Sequence, residues 1–132
     1  MALELALAGA AGILVADPGE ERAAELGAAL TALETVPAEQ LAWGDAVAVP
    51  PQVGIVVRAT TATVPLTGLR PEIVVADVSP VAGMPPEARA AGCCLVEGLE
   101  IRAVQAAIDF RSLTGVEADV EMLREALDEY LS

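Results

Sequence analysis

The sequence predicts an α/β fold in which a parallel sheet is covered by helices to give three layers. Three observations point to it. Short apolar runs rich in Val and Ile alternate with helix-forming stretches along all 132 residues. These runs are apolar throughout, as strands buried on both faces are. No hairpin turn signals join them.

The elements follow in order. Residues 2–9, rich in Ala and Leu, favour helix, and Gly9 and Gly12 offer a stop. Ile13 to Ala16 form a short strand. Asp17-Pro18 suits a helix start, with Asp as cap and Pro in the first turn. That helix runs to about Leu30 and puts Ala23, Leu26 and Leu30 on one face. Leu33 to Val36 read as a peripheral strand, and Pro37 to Asp45 as a turn with a short helical piece holding Trp43. Pro50-Pro51 breaks the chain. Val53 to Val57 form a buried-type strand that runs out at Arg58-Ala59-Thr60-Thr61, followed by a Thr-, Pro- and Gly-rich loop. Glu72 to Val78 make the clearest strand. A loop over 79–86, a short helix over Glu87 to Ala91 and a last strand over Cys93 to Val96 come next. Two helices close the chain. One spans about Leu99 to Ser112 with Ile101, Val104 and Ile108 inward and stops at Thr114-Gly115. The other spans about Ala118 to Leu131 with Val120, Leu123, Leu127 and Leu131 on one face.

Composition narrows the chemistry. Seven basic against twenty acidic residues give a net charge of −13, which opposes nucleic acid and anionic membrane as partners. There is no histidine, and all seven basic residues are arginines. This excludes from the chain a histidine base, a Schiff-base lysine and a histidine-ligated metal, and no metal site is expected. Acid–base work would fall to carboxylates, Tyr130 or the adjacent Cys93 and Cys94. The two cysteines lack further metal ligands, and a disulfide between neighbours is strained, so both are expected buried and reduced. That suits a cytoplasmic location. The opening stretch has no basic first segment, carries Glu4, and reads as part of the fold rather than a leader.

Two stretches have functional readings beside bland ones. Ala8 to Gly27 has the form of the second strand of a dinucleotide-binding fold, where an acidic strand-end residue accepts hydrogen bonds from the adenosine ribose. Asp17 would fill that role and favour NAD over NADP; a plain helix cap explains it equally simply. Gly9-Ala10-Ala11-Gly12 precedes a strand instead of opening a helix, so it does not form the phosphate-binding turn. Glu97-Gly98 joins a strand to a helix on the side where ligands bind in parallel sheets, with Gln105 two turns on. A close-packed connection needing a glycine accounts for it as well.

The tail resembles the C-terminal half of the shikimate dehydrogenase family. Glu97-Gly98-Leu99-Glu100-Ile101 with Gln105 is similar to the family's Asn-Gly-Leu-x-Met segment and its glutamine. Phe110, Leu113 to Glu117 and the helix from Asp119 to Leu127 match its closing pattern. Ile55 to Thr60 is similar to the strand ending in Asn-Ala-Thr, and Ile73 to Asp77 to the fifth strand. The resemblance implies a Rossmann-like domain that lacks the usual first strand and glycine-rich loop, so that 1–132 is a single truncated domain. The two strand edges left open would be covered by a smaller sheet or by a homodimer. It further implies NAD or a related cofactor held by Asp17, Arg58, Thr60, Gly98 and Ile101, with Gln105 on the substrate side. Departures are marked. Arg58 and Glu97 stand in place of asparagines and Ile101 in place of methionine. Val78-Ser79-Pro80 replaces the tyrosine after Asp77, and the family's catalytic lysine has no counterpart. Three functions are therefore expected, in this order: a dehydrogenase-like cofactor domain inactive alone; a non-catalytic binding or assembly module; an enzyme of different chemistry using Asp77, Glu97 or a cysteine.

Overall fold

The structure, a computed structural model, describes residues 2–34, 36–60, 62, 64–79 and 83–132. It is mixed α/β with parallel strand pairs, as expected. The chain falls into two compact units, Met1–Ala48 and Val49–Ser132.

The first unit holds α1 (Ala2–Leu7), β1 (Ile13–Val15), α2 (Glu20–Ala32), β2 (Ala38–Gln40) and β3 (Val47–Ala48). β1 and β2 pair in parallel, Ile13 opposite Ala38 and Val15 opposite Gln40. Val15, Ala23 and Leu30 form its buried cluster, with Ala2, Ile13 and Ala38 against them. Three expectations change here. Leu26 stays exposed on α2. The helix starts at Glu20 with Gly19 in the cap position, because the Asp17 carboxylate accepts the Gly19 N–H (2.7 Å) in a tight turn instead. Where a strand is expected over Leu33 to Val36, Leu33 and Glu34 are the turn that closes α2: the Leu33 N–H reaches back to the Leu30 carbonyl and Glu34 takes a left-handed conformation (φ 52°), while Thr35 lies outside the described residues. The strand comes after Pro37 instead, so the expected turn-and-helix over Pro37 to Asp45 is β2 followed by a loop with Trp43.

The second unit holds β4 (Ile55–Arg58), β5 (Leu66–Thr67), β6 (Val74–Asp77), α3 (Pro86–Ala90), β7 (Cys94–Val96), α4 (Gly98–Thr114) and α5 (Val120–Leu131). The short β5 interrupts the expected loop; Thr61 and residues 80–82 of the neighbouring segments lie outside the described residues. β4, β6 and β7 form one parallel sheet in the order β4-β6-β7. Ile73, Val75, Ala88 and Cys93 are the core of this unit, packed by Val49, Val56, Leu69, Met84, Ala91 and Leu95. It is aliphatic, as the scarcity of aromatics requires. Arg70 ties the amino ends of the strands by donating to the Pro51 and Val53 carbonyls (2.7 and 2.6 Å). Cys93 is buried with its Sγ on the Arg70 carbonyl (3.2 Å), but Cys94 is exposed, since neighbours on a strand face opposite sides.

α4 also turns differently from expectation. Its buried residues are Gly98 and Ala103, while Val104 and Ile108 are 42% and 56% exposed. Gly115 ends α4 in the left-handed region (φ 71°), its N–H on the Arg111 carbonyl (2.8 Å). α5 packs on α4. Asp119 caps α5 by accepting the Glu121 and Met122 N–H groups (2.9 and 3.3 Å). Within its first turn, the hydrogen bond from Arg124 holds the Glu121 carboxyl below the usual carboxylate range. Because none of its residues is buried, α5 depends on such local terms. Asp119→Ala is expected to lower stability by about 1 kcal/mol and to fray the helix. Helical circular dichroism during urea titration reads this, and an unchanged midpoint would refute it.

Candidate functional site

Ligands of open parallel α/β sheets sit outside the carboxyl ends of the strands. In the second unit these ends carry the charged residues. The β4–β6 register sets Arg58 opposite Asp77, the last residue of each strand. Both are tucked in, with side chains 14% and 2% exposed, and they form an ion pair between Arg58 Nη2 and Asp77 Oδ2. The same Nη2 donates to the Gly83 carbonyl. The second Asp77 oxygen accepts the Ser79 N–H (3.0 Å). A buried carboxylate is tolerated only when paired in this way. Arg58 Nε is buried and finds no partner among the described residues.

Beside this pair lies a cleft of about 220 Å³, lined by residues that include Asp77, Ser79, Gly83, Met84, Gly98 and Leu99. Arg89, Glu97 and Asp128 complete it. Gly98 is there because nothing larger fits: a Cβ would lie 2.8 Å from the Asp77 carbonyl oxygen and from the Ser79 carbonyl carbon and oxygen. The start of α4 can thus lie directly against the end of β6. Glu97 occupies the cap position of α4, but its side chain makes no cap hydrogen bond and pairs instead with Arg89 (3.2 Å, both exposed). The first-turn N–H groups of α4 are therefore left without a side-chain cap beside the cleft.

Of the residues singled out from the sequence, Asp77, Glu97 and Gly98 line the cleft and Arg58 stands behind it, joined through Asp77 and Gly83. Thr60, Ile101 and Gln105 are not among its lining residues. Thr60 Oγ1 accepts the Ala62 N–H (3.1 Å). Ile101 is half-buried in α4, and Gln105 is exposed with Nε2 donating to Asp109 Oδ1 (3.0 Å). Asp17 lies in the first unit, where its Oδ1 also pairs with Arg22 (3.1 Å). Met84, Arg89 and Asp128 were not legible as site residues. They come from α3, its approach and α5, and only the fold gathers them. Among the described residues no cluster suited to a metal ion is found, and no helix is long and apolar enough to cross a membrane.

Comparison with solved structures gives this geometry a context. The chain is similar to the ligand-free 5-ketofructose reductase of Gluconobacter sp. strain CHM43, with 28% identity and a TM-score of 0.89 over 98% of this chain and 51% of that one. It is also similar to a shikimate dehydrogenase in complex with NADP+, with 21% identity and a TM-score of 0.70 over 92% of this chain and 47% of that one. The fold is that of half of a Rossmann-type dehydrogenase. The chain spans about half the length of the structures it matches, in keeping with the C-terminal half of the shikimate dehydrogenase type that the sequence resembled. No protein-family model matches it, and no curated protein does.

Open parallel α/β folds of this type bind dinucleotides outside the strand ends, where the cleft lies. Its volume is below the roughly 300 Å³ at which pockets for whole small ligands begin, so it could enclose only part of such a molecule. Leu99 and Met84 offer apolar contact, and the uncapped start of α4 offers N–H donors for an oxygen. The closeness that Gly98 permits keeps both against the strand end.

Proposed function

We propose that residues 1–132 form one cofactor domain of a shikimate dehydrogenase-like, NAD(P)-dependent oxidoreductase, without activity by itself. The observation that carries this is the cleft at the carboxyl ends of β6 and β7, walled by Gly98 where no side chain fits, in a chain that matches a reductase over 98% of its length. When bound, the nicotinamide would supply the hydride chemistry. The chain's own part is to hold and orient that ring through Gly98, Leu99 and Met84 and to exclude water from it. Inactivity follows from the proton carriers. With no lysine or histidine, only carboxylates are at hand in the cleft; Asp77 is committed to Arg58 and Ser79 and Glu97 to Arg89, which leaves Asp128, at the far wall on α5, as the sole candidate among the described lining residues.

Asp17 belongs to the same proposal. At the end of β1 it would accept the ribose hydroxyls and disfavour an added phosphate, so NAD is the favoured cofactor. Free, unpaired Cys93 and Cys94 agree with a reducing, cytoplasmic setting. Half-exposed Val104, Ile108 and Val120 on α4 and α5 are where two copies would associate.

Calorimetric titration tests the proposal. NAD is expected to bind weakly, with a Kd on the order of 1 mM, equivalent to about −4 kcal/mol, because no glycine-rich turn of the sequence grips its diphosphate. NADP should bind more weakly still, and shikimate alone should give no heat. Silence from both dinucleotides at several times that concentration would remove the cofactor role and favour a binding module of another kind.

A further inference from the structure

Arg58 does not line the cleft, yet two of the cleft's walls hang on it. Its Nη2 is shared between Asp77 Oδ2 and the Gly83 carbonyl, and both of those residues line the cleft. Gly83 has a left-handed backbone (φ 72°), and among the described residues nothing lies within 4 Å of where its Cβ would be. No side-chain contact anchors Gly83 itself, and the hydrogen bond from Arg58 holds its carbonyl. Next to it, Met84 reaches into the hydrophobic core and also faces the cleft. Stability alone is a poor reason for this arrangement. A buried ion pair does little better than apolar residues of similar size, and this one leaves Arg58 Nε without a partner among the described residues. What an apolar pair could not do is tether a backbone carbonyl across the ends of β4 and β6.

We infer that Arg58 is a positioning residue of the cleft: by bridging Asp77 to Gly83 it fixes the wall formed by Gly83 and Met84 against the strand ends. The identity of what the wall contacts rests on the cofactor proposal, whereas the tether does not depend on it.

Three variants separate positioning from charge balance. Arg58→Met removes the donor and leaves Asp77 as an unpaired buried charge. Arg58→Met with Asp77→Asn removes both charges. Arg58→Lys keeps one cationic nitrogen able to serve both acceptors. Three quantities are measured for each: the urea midpoint, the backbone 15N order parameters of Gly83 and Met84, and the NAD affinity. Arg58→Met is expected to lose stability and to drop the order parameters of Gly83 and Met84 from the rigid range near 0.85 to below about 0.6. The double variant should regain most of the stability but neither the order nor the affinity. Arg58→Lys should restore order and bring NAD binding back to within about threefold of the unaltered protein. If order returns together with stability in the double variant, or if Gly83 and Met84 stay rigid in Arg58→Met, the inference is overturned. Should Arg58→Met not fold, the double variant and Arg58→Lys decide it by the same readouts. If the unaltered protein takes no NAD while the order parameters follow the expected pattern, the cofactor proposal falls and the tether stands.

Discussion

Asp77→Ala is expected to lower the unfolding free energy by about 3–5 kcal/mol, the range for removing one partner of a buried ion pair. The Asp77 side chain is 2% exposed and Arg58 14%, so water cannot replace the lost carboxylate. Among the described residues Arg58 would be left with the Gly83 carbonyl alone, and its Nε already lacks a partner there. The Ser79 N–H would lose its acceptor as well. Asp17→Ala is the matched control, since it also removes a carboxylate paired with arginine. There Arg22 is mostly exposed, solvent takes over, and the ion pair itself contributes at most about 1 kcal/mol. The two effects should therefore differ severalfold in a urea unfolding series. Comparable midpoint shifts for both variants would mean that the Arg58–Asp77 pair is hydrated, and the inward placement of the strand-end charges would be wrong.

The same pair shows where the sequence could and could not be read. β4, β6 and β7 announce themselves as runs of Val, Ile and Leu, because strands buried on both faces need no polar alternation. That each of the first two runs ends in a charged residue was visible. That Arg58 and Asp77 meet was not, since it depends on the parallel register across a separation of 19 residues. β2, with the sequence Ala-Glu-Gln, has no strand character of its own and is extended only because β1 pairs with it. By propensity Leu33 to Val36, with β-branched Thr35 and Val36, is the better candidate, but α2 winds on to Ala32 and Leu33 caps it. The inward face of α4 was misjudged for a similar reason. Hydrophobic periodicity weighs Val104 and Ile108 above Ala103, while the fully buried place on the helix goes to the small Ala103. Of the site, Gly98 was legible from the strand–glycine–helix junction. The lining residues from α3, its approach and α5 were not, because they converge only through packing.

Gly98→Ala sets two well-known tendencies against each other. Alanine is favoured over glycine in helices by about 1 kcal/mol, and Gly98 is the first residue of α4, so propensity alone forecasts a more stable protein. The surroundings forecast the reverse. The added methyl would sit 2.8 Å from three backbone atoms of Asp77 and Ser79, and backbone cannot swing aside as the tip of a flexible side chain can. The start of α4 must then move off the end of β6, and overpacking of this kind costs about 1–3 kcal/mol. A net loss of up to about 2 kcal/mol is expected, together with weaker NAD binding, because the same movement draws Leu99 away from the strand end. Gly27→Ala provides the contrast. It lies inside α2 with nothing within 4 Å of its Cβ position, so propensity acts unopposed and a gain of about 0.5–1 kcal/mol is expected. Opposite signs for the two substitutions, read from urea midpoints, would establish that contact between α4 and β6 governs this junction. A stabilised Gly98→Ala protein would show instead that α4 stands off from the strand end, and the cleft would lose the wall on which the proposed cofactor site depends.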